Sequence, residues 1–251
     1  MLHTFEPGAY RFLEGGFPYS AGVIAMPGFA IRRVRLARPL PVAAGFQAIR
    51  QHLAVAGRPL QALCAAELRS PQPFTMAGFQ GFNQGYVDVL SQWGLVRNGL
   101  NPVARSNVCP LFDAPAEPCF FAFSYTVPQA ADATMQVPAD FVVAGSGEWP
   151  EDQPFPRAIV ARGDLSASGM AAKAAYVLAT MRARTQGLGG DWAGLTAAQV
   201  YTVHDIHALL ASHFAPAGLT ALGLTWQVCA PPILELAFEM DVRRVRAELV
   251  V

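Results

Sequence analysis

Arg105 is the residue in this chain best placed to do chemistry. It lies in Asn101-Pro102-Val103-Ala104-Arg105-Ser106-Asn107-Val108, after a turn-like Asn-Pro pair and before an apolar residue. A guanidinium there presents a planar fork that matches a carboxylate bidentately. A surface or interface ion pair accounts for the same residue, and by composition alone that structural reading has the better claim. Tyr19, in Phe17-Pro18-Tyr19-Ser20, carries a hydroxyl that can orient a substrate or simply pack beside a turn. Asn83 and Tyr86 share one helical turn, where the tyrosine reads as core and the asparagine as facing solvent or capping a loop.

Near the C-terminus, Glu235 and Glu239 fall on one side of an alternating run, with Asp241 further along. A carboxyl held against apolar surface has a raised pKa and can exchange protons with water. Taken alone, the wet face of a terminal strand is the plainer account. His204, His207 and His213 gather around Asp205, but their spacing lacks the i, i+4 pair of helical zinc sites, and no metal is expected. Gly145-Ser146-Gly147 follows a strand-like run without a third glycine or an adjoining helix, a weak basis for nucleotide binding. No Walker lysine motif, G-x-S-x-G elbow or C-x-x-C pair is present.

These residues must be held by regular elements. In the first half, Phe29 to Leu36 reads as a strand, and Phe46, Ile49 and Leu53 mark one face of a helix from Val42 to Gly57. Leu60 to Leu68 reads as a buried strand. Thr75 can cap a helix with Phe79, Phe82, Tyr86, Leu90 and Trp93 along its apolar face. Cys119 to Val127 reads as a strand with Phe121, Phe123, Tyr125 and Val127 on one side. In the second half, Phe141 to Ala144 reads as a strand. Ser166 can cap a helix carrying Met170, Ala174, Val177 and Met181, which Gly187 would stop. Gln199 to Val203 is strand-like, Asp205 can cap a short helix, and Leu234 to Val242 alternates as a strand. The stretch Pro128 to Pro138 reads as a linker. The expected architecture is therefore α/β (α+β): two tandem repeats, 1–129 and 130–251, each a mixed sheet with helices on one face. A neighbouring sheet, from the same or another chain, should cover the other face.

The composition bounds the rest. The chain has 251 residues, 53% hydrophobic and 14% charged, enough for a sizeable core and consistent with an oligomer. Its net charge of +0 gives no field for nucleic acid or an anionic membrane. Arg32, Arg33, Arg35 and Arg38 alternate sides of an extended segment and read as the solvated face of a strand. Cys64, Cys109, Cys119 and Cys229 sit in apolar, strand-like stretches, as free cysteines do in a reducing cytoplasm. The first residues lack the pattern of a signal peptide, and no apolar run approaches a membrane span.

Together these features resemble the RidA (YjgF-type) enamine/imine deaminase family, once per half. Pro18-Tyr19-Ser20 with Val23 is similar to its P-Y-S-x-x-V stretch, Asn83 to Tyr86 to its N-x-x-Y helix, and Arg105-Ser106-Asn107-Val108 to its R-S-x-V segment. Asn107 stands where cysteine is frequent. The family's last-strand glutamate falls at Ser124 in the first half and at Glu239 in the second, while Thr225-Trp226-Gln227-Val228 replaces the arginine segment there. The resemblance implies a chorismate-mutase-like fold, a homotrimer, no cofactor, and a carboxylate-bearing small-molecule substrate. It implies that Arg105 grips that carboxylate near Tyr19, Asn83 and Asn107, and that Glu239 supplies the acid from the other repeat. A duplicated chain of this kind is most similar to the branch acting on 2-aminomuconate and its chloro derivatives. A general 2-aminoacrylate-type deaminase and a non-catalytic small-molecule binder are the alternatives.

Overall fold

A computed structural model describes residues 1–129 and 138–251. The linker and the repeat boundary expected near residue 130 lie largely outside the described residues. The first half contains strands β1 (Leu2–Phe5), β2 (Tyr10–Leu13), β3 (Gly22–Ala25) and β4 (Phe29–Pro41), helix α1 (Val42–Val55), strand β5 (Leu63–Arg69), helix α2 (Met76–Gln92), and strands β6 (Ala104–Pro110) and β7 (Cys119–Pro128). The second half contains β8 (Phe141–Gly147), α3 (Ala167–Leu188), β9 (Ala197–Tyr201), the short α4 (His207–Leu209), β10 (Leu224–Gln227), β11 (Cys229–Ala230), β12 (Glu239–Arg244) and β13 (Ala247–Val250).

The strands form two mixed sheets. One has the order β11-β6-β5-β7-β4-β13, the other β1-β2-β3-β8-β12-β9-β10. Within them the order β6-β5-β7-β4 is repeated as β10-β9-β12-β8, and β5–β6 and β9–β10 are both parallel pairs. Each sheet is extended by the other half: β3 pairs with β8, and β13 and β11 pair with β4 and β6. The two repeats are thereby laced together at their edges.

Helices pack on the outer face of each sheet. Phe46, Ile49, Leu53, Tyr86, Leu90 and Trp93 join one core, while Met170, Ala174, Val177 and Met181 join the other. Thr75 and Ser166 accept hydrogen bonds from the Gly78 and Gly169 amides, capping α2 and α3 as their positions predict. The expected stop at Gly187 is displaced: α3 ends at Gly189, whose φ of +76° suits glycine. No helix among the described residues is long and apolar enough to cross a membrane.

The inner faces meet along a polar seam. Arg33 donates to both oxygens of Glu67, at 2.6 and 2.7 Å, and pairs with Glu248 at 2.8 Å. Asp241 accepts from Ser106 and Tyr201, at 2.7 and 2.8 Å. Burial pushes the Glu67 carboxyl up, but Arg33, with Arg243 and Arg69, takes it down to about 2. Arg33 is therefore buried and paired, not on a solvated face, because the cover over its strand is the other sheet of the same chain.

Two other expectations are corrected. A bulge in β7 breaks its alternation: Phe120 packs on Phe46 and Tyr86 under the helices, and Phe123 and Tyr125 stay on that side, while Phe121 turns to Arg69 in the seam. The C-terminal strand begins only at Glu239. Glu235 occupies a turn at φ +77° and pairs with Arg162, so it does not share a strand face with Glu239.

Candidate active site

Five segments converge on a cavity of about 460 Å3 where the sheets and α2 meet. They are the loop around Tyr19, the N-terminal half of α2, the middle of β6, the end of β8 and the approach to β12. Tyr19, Asn83, Arg105, Asn107 and Glu239 all border this cavity.

The edge of β6 explains why the cavity opens there. Ser20 bridges Ala104 at one end, and β11 pairs with Cys109 and Pro110 at the other. Between them, the outer edge of β6 from Arg105 to Val108 has no strand partner among the described residues. Arg105 is 2% exposed, yet its Nη1 and Nη2 atoms have no hydrogen-bond partner among the described residues. Its guanidinium sits among aromatic rings instead, 4.9 Å from the centroid of Tyr86, 5.2 Å from Tyr19 and 5.6 Å from Phe79. Burial pulls its pKa down, and Tyr86, Tyr19 and Glu239 push it back. Arginine nonetheless keeps its charge in proteins.

Other polar atoms nearby are in the same condition. Asn83 Oδ1, Asn107 Nδ2 and the Tyr86 hydroxyl are buried without partners among the described residues, although Ser70 donates to Asn107 Oδ1 at 3.0 Å. Asn83 is thus turned inward, contrary to the solvent-facing position that its sequence suggests. The Tyr86 phenol is pushed up to about 12 by burial. Buried polar groups are overwhelmingly paired in folded proteins, so the unpaired atoms of Arg105, Asn83 and Asn107, all residues that border the cavity, mark where a polar ligand completes the set.

Glu239 comes from the opposite sheet. It is 4% exposed, and a methyl group on Gly145 would collide with its carboxyl, so glycine at that position gives the acid its room. Burial, then Asp241, Glu148 and Glu151, raise its pKa well above the ordinary carboxylate range, with Arg105 pulling the other way. The backbone just before it is pinned: Glu148 accepts from the Ala237 and Phe238 amides at 2.7 and 3.1 Å. Lys173, fully buried on α3, holds Glu148 at 3.2 Å. Lys173 escaped notice in the sequence, but a lysine three residues after Met170 and four before Val177 sits in an apolar stripe, and that was the signal.

The histidines stand apart from this cavity. His207 bonds Asp205 and His213 bonds Ser212. No group of three His, Cys, Asp or Glu among the described residues is arranged to hold a metal.

A family model described as 2-aminomuconate deaminase CnbZ matches residues 2–249. The chain is 44% identical to the 2-amino-5-chloromuconate deaminase of Comamonas testosteroni over 241 residues, covering 96% of this chain and 95% of that protein. Among solved structures it is similar to a chorismatase, with a TM-score of 0.57 and 11% identity over 89% of this chain and 77% of that one, a likeness of fold alone. A Rid-family protein from Yersinia pestis matches 45% of this chain and 93% of its own, with a TM-score of 0.33 and 20% identity.

Proposed function

The chain belongs to the 2-aminomuconate deaminase family, and we propose that its cavity hydrolyses 2-aminomuconate or a chloro derivative, releasing ammonia and a 2-oxo acid. The observation that carries this reading is the buried fork of Arg105, unpaired among the described residues and facing the same cavity as the buried carboxyl of Glu239.

The chemistry needs a carboxylate clamp and one group that gives and takes protons. Arg105 takes the carboxylate beside the amino-bearing carbon, fixing that carbon in the cavity. Protonated Glu239 gives its proton to a carbon of the dienamine, which becomes an iminium, and is left as carboxylate. Water then adds to the iminium carbon while Glu239 takes a proton from it. In the collapse of the carbinolamine, Glu239 protonates the departing nitrogen and recovers the hydroxyl proton. Ammonia leaves, a carbonyl forms, and the acid is restored. A carboxyl with a raised pKa suits every one of these exchanges, because it holds a proton where an ordinary carboxylate does not.

The test is ammonia release from freshly generated 2-aminomuconate, wild type and Arg105→Ala side by side. Rapid release that collapses in the variant is expected. Release no faster than the spontaneous rate in the wild type would overturn the reading. A cytoplasmic location accords with four free, buried cysteines. The proposed assembly is a homotrimer, in keeping with exposed apolar residues such as Leu111 and Phe112, and light scattering showing a monomer would count against it.

A further inference from the structure

A muconate carries a carboxylate at each end, and Arg105 can clamp only one. A second cavity of about 430 Å3 adjoins the first, sharing Gly16, Ser146, Trp149 and Glu151 as walls. Among the described residues bordering the two cavities, Arg184 on α3 is the one cation besides Arg105. Its contacts are loose. Nη2 lies 3.2 Å from Glu151 Oε1, and Nη1 lies 3.3 and 3.4 Å from the Ala144 and Gly145 carbonyls. Charge-assisted hydrogen bonds at their best are nearer 2.7–2.9 Å. The side chain is 15% exposed.

Tyr19 stands between the two arginines. Its ring covers Arg105, and its hydroxyl donates to Glu151 at 3.3 Å. Glu151 therefore has two partners and keeps one if Arg184 turns away. We propose that Arg184 receives the second carboxylate of a dicarboxylate substrate, with Glu151 holding the guanidinium in place until the substrate displaces it. This rests on the deaminase reading of the same cavity. It makes the protein selective for dicarboxylates over enamines with a single acid group, since the far end of a monocarboxylate leaves Arg184 with Glu151.

Binding of two non-reacting acids tests this apart from catalysis. Trans,trans-muconate and sorbate share a carbon chain and differ by one carboxylate. By calorimetry, the wild type should bind muconate roughly tenfold to a hundredfold more tightly than sorbate. Arg184→Met should erase that preference while leaving sorbate affinity unchanged, and Arg184→Lys should restore part of it. Glu151→Gln should tighten muconate only, by freeing Arg184 from its competitor. Unchanged sorbate binding also reports that the variants keep an intact site. Equal affinity of the wild type for both acids, or equal weakening of both in Arg184→Met, would overturn the proposal. A muconate preference that depends on Arg184, in a protein that releases no ammonia, would leave the proposal standing and sink the deaminase reading instead.

Discussion

Ala66, the fourth residue of β5, lies between Arg105 on β6 and Phe123 on β7. Val200, the fourth residue of β9, lies between Trp226 on β10 and Met240 on β12. Matched in this way, the two repeats exchange their chemistry. The second has an indole where the first has a guanidinium. The first has Ala122 and Ser124 where the second has Glu239 and Asp241, each pair facing the corresponding residues of β5 and β9. Matched by position along the strand, Asp241 stands level with Ser124 and Glu239 level with Ala122. The surroundings have diverged as well. The cavity beside Arg105 is walled by the long α2, whereas Trp226 lies beside the short α4 and borders a hollow of about 300 Å3 with Ile206, Leu210 and Leu224. The lesson is that one strand order supplies two equivalent scaffolds, and on the proposed reading the site is built once, across them.

The comparison is broken most severely at its cation. Arg105→Ala removes two charge-assisted hydrogen bonds to substrate, each worth about 1.5–3 kcal/mol, so kcat/KM should fall by roughly 10²–10⁴. A fall of less than tenfold in steady-state assays would mean that the first repeat does not hold the carboxylate. Next comes the acid of the second repeat. Glu239→Gln keeps the shape and removes the exchangeable proton, and general acid–base catalysis is worth roughly 10²–10⁴ in kcat. The same variant has a signature in stability. The folded-state pKa of Glu239 is raised, so its contribution is complete below the unfolded value near 4.5 and is lost as pH rises through the folded value. Denaturant melts should show Glu239→Gln gaining on the wild type as pH climbs from about 5 upward. A constant difference across that range would mean that Glu239 titrates as an ordinary carboxyl.

The scaffold was more legible in the sequence than the site's setting. Thr75 and Ser166 announced their helices because a cap is a local signal, and the apolar faces of α1, α2 and α3 follow a period that any window reveals. The residues bordering the cavity were reached through resemblance, since an arginine, a tyrosine or an asparagine in isolation carries no mark of its neighbours. What stayed hidden depends on contacts across the chain. Asn83 faces inward because β6 and the Tyr19 loop close over α2. Arg33 is buried because the second sheet lies on its strand. The bulge at Phe120 and Phe121 is a matter of strand pairing, invisible to an alternating pattern. Glu148, Lys173 and Arg184 belong to the second repeat's helix and loop, far in sequence from Arg105.

A finer probe asks how the second repeat sets its acid. Glu148 is the third largest influence raising the pKa of Glu239, after burial and Asp241. In Glu148→Gln the negative charge goes, the Glu239 carboxyl ionises more readily, and the alkaline limb of kcat should move to lower pH. Stability should also fall, because the amide cannot accept from both the Ala237 and Phe238 amides. The pH profile separates the two effects: a variant that is less stable but keeps its alkaline limb would show that Glu148 only pins the backbone.

The smallest expected effect falls at the position matched to Arg105. Trp226 donates its indole N–H to the Thr202 carbonyl at 2.9 Å and packs edge-on to His207 at a centroid distance of 5.9 Å. Both contacts stay within the second repeat. Trp226→Ala should therefore lower the melting temperature by several degrees, as loss of a large, partly buried side chain does. Its kcat/KM toward 2-aminomuconate, measured well below that melting point, should stay within about twofold of the wild type, a free-energy change of under about 0.5 kcal/mol. A loss approaching that of Arg105→Ala would mean that the second repeat holds substrate in its own right, and the assignment of a single site spanning both repeats would give way to two.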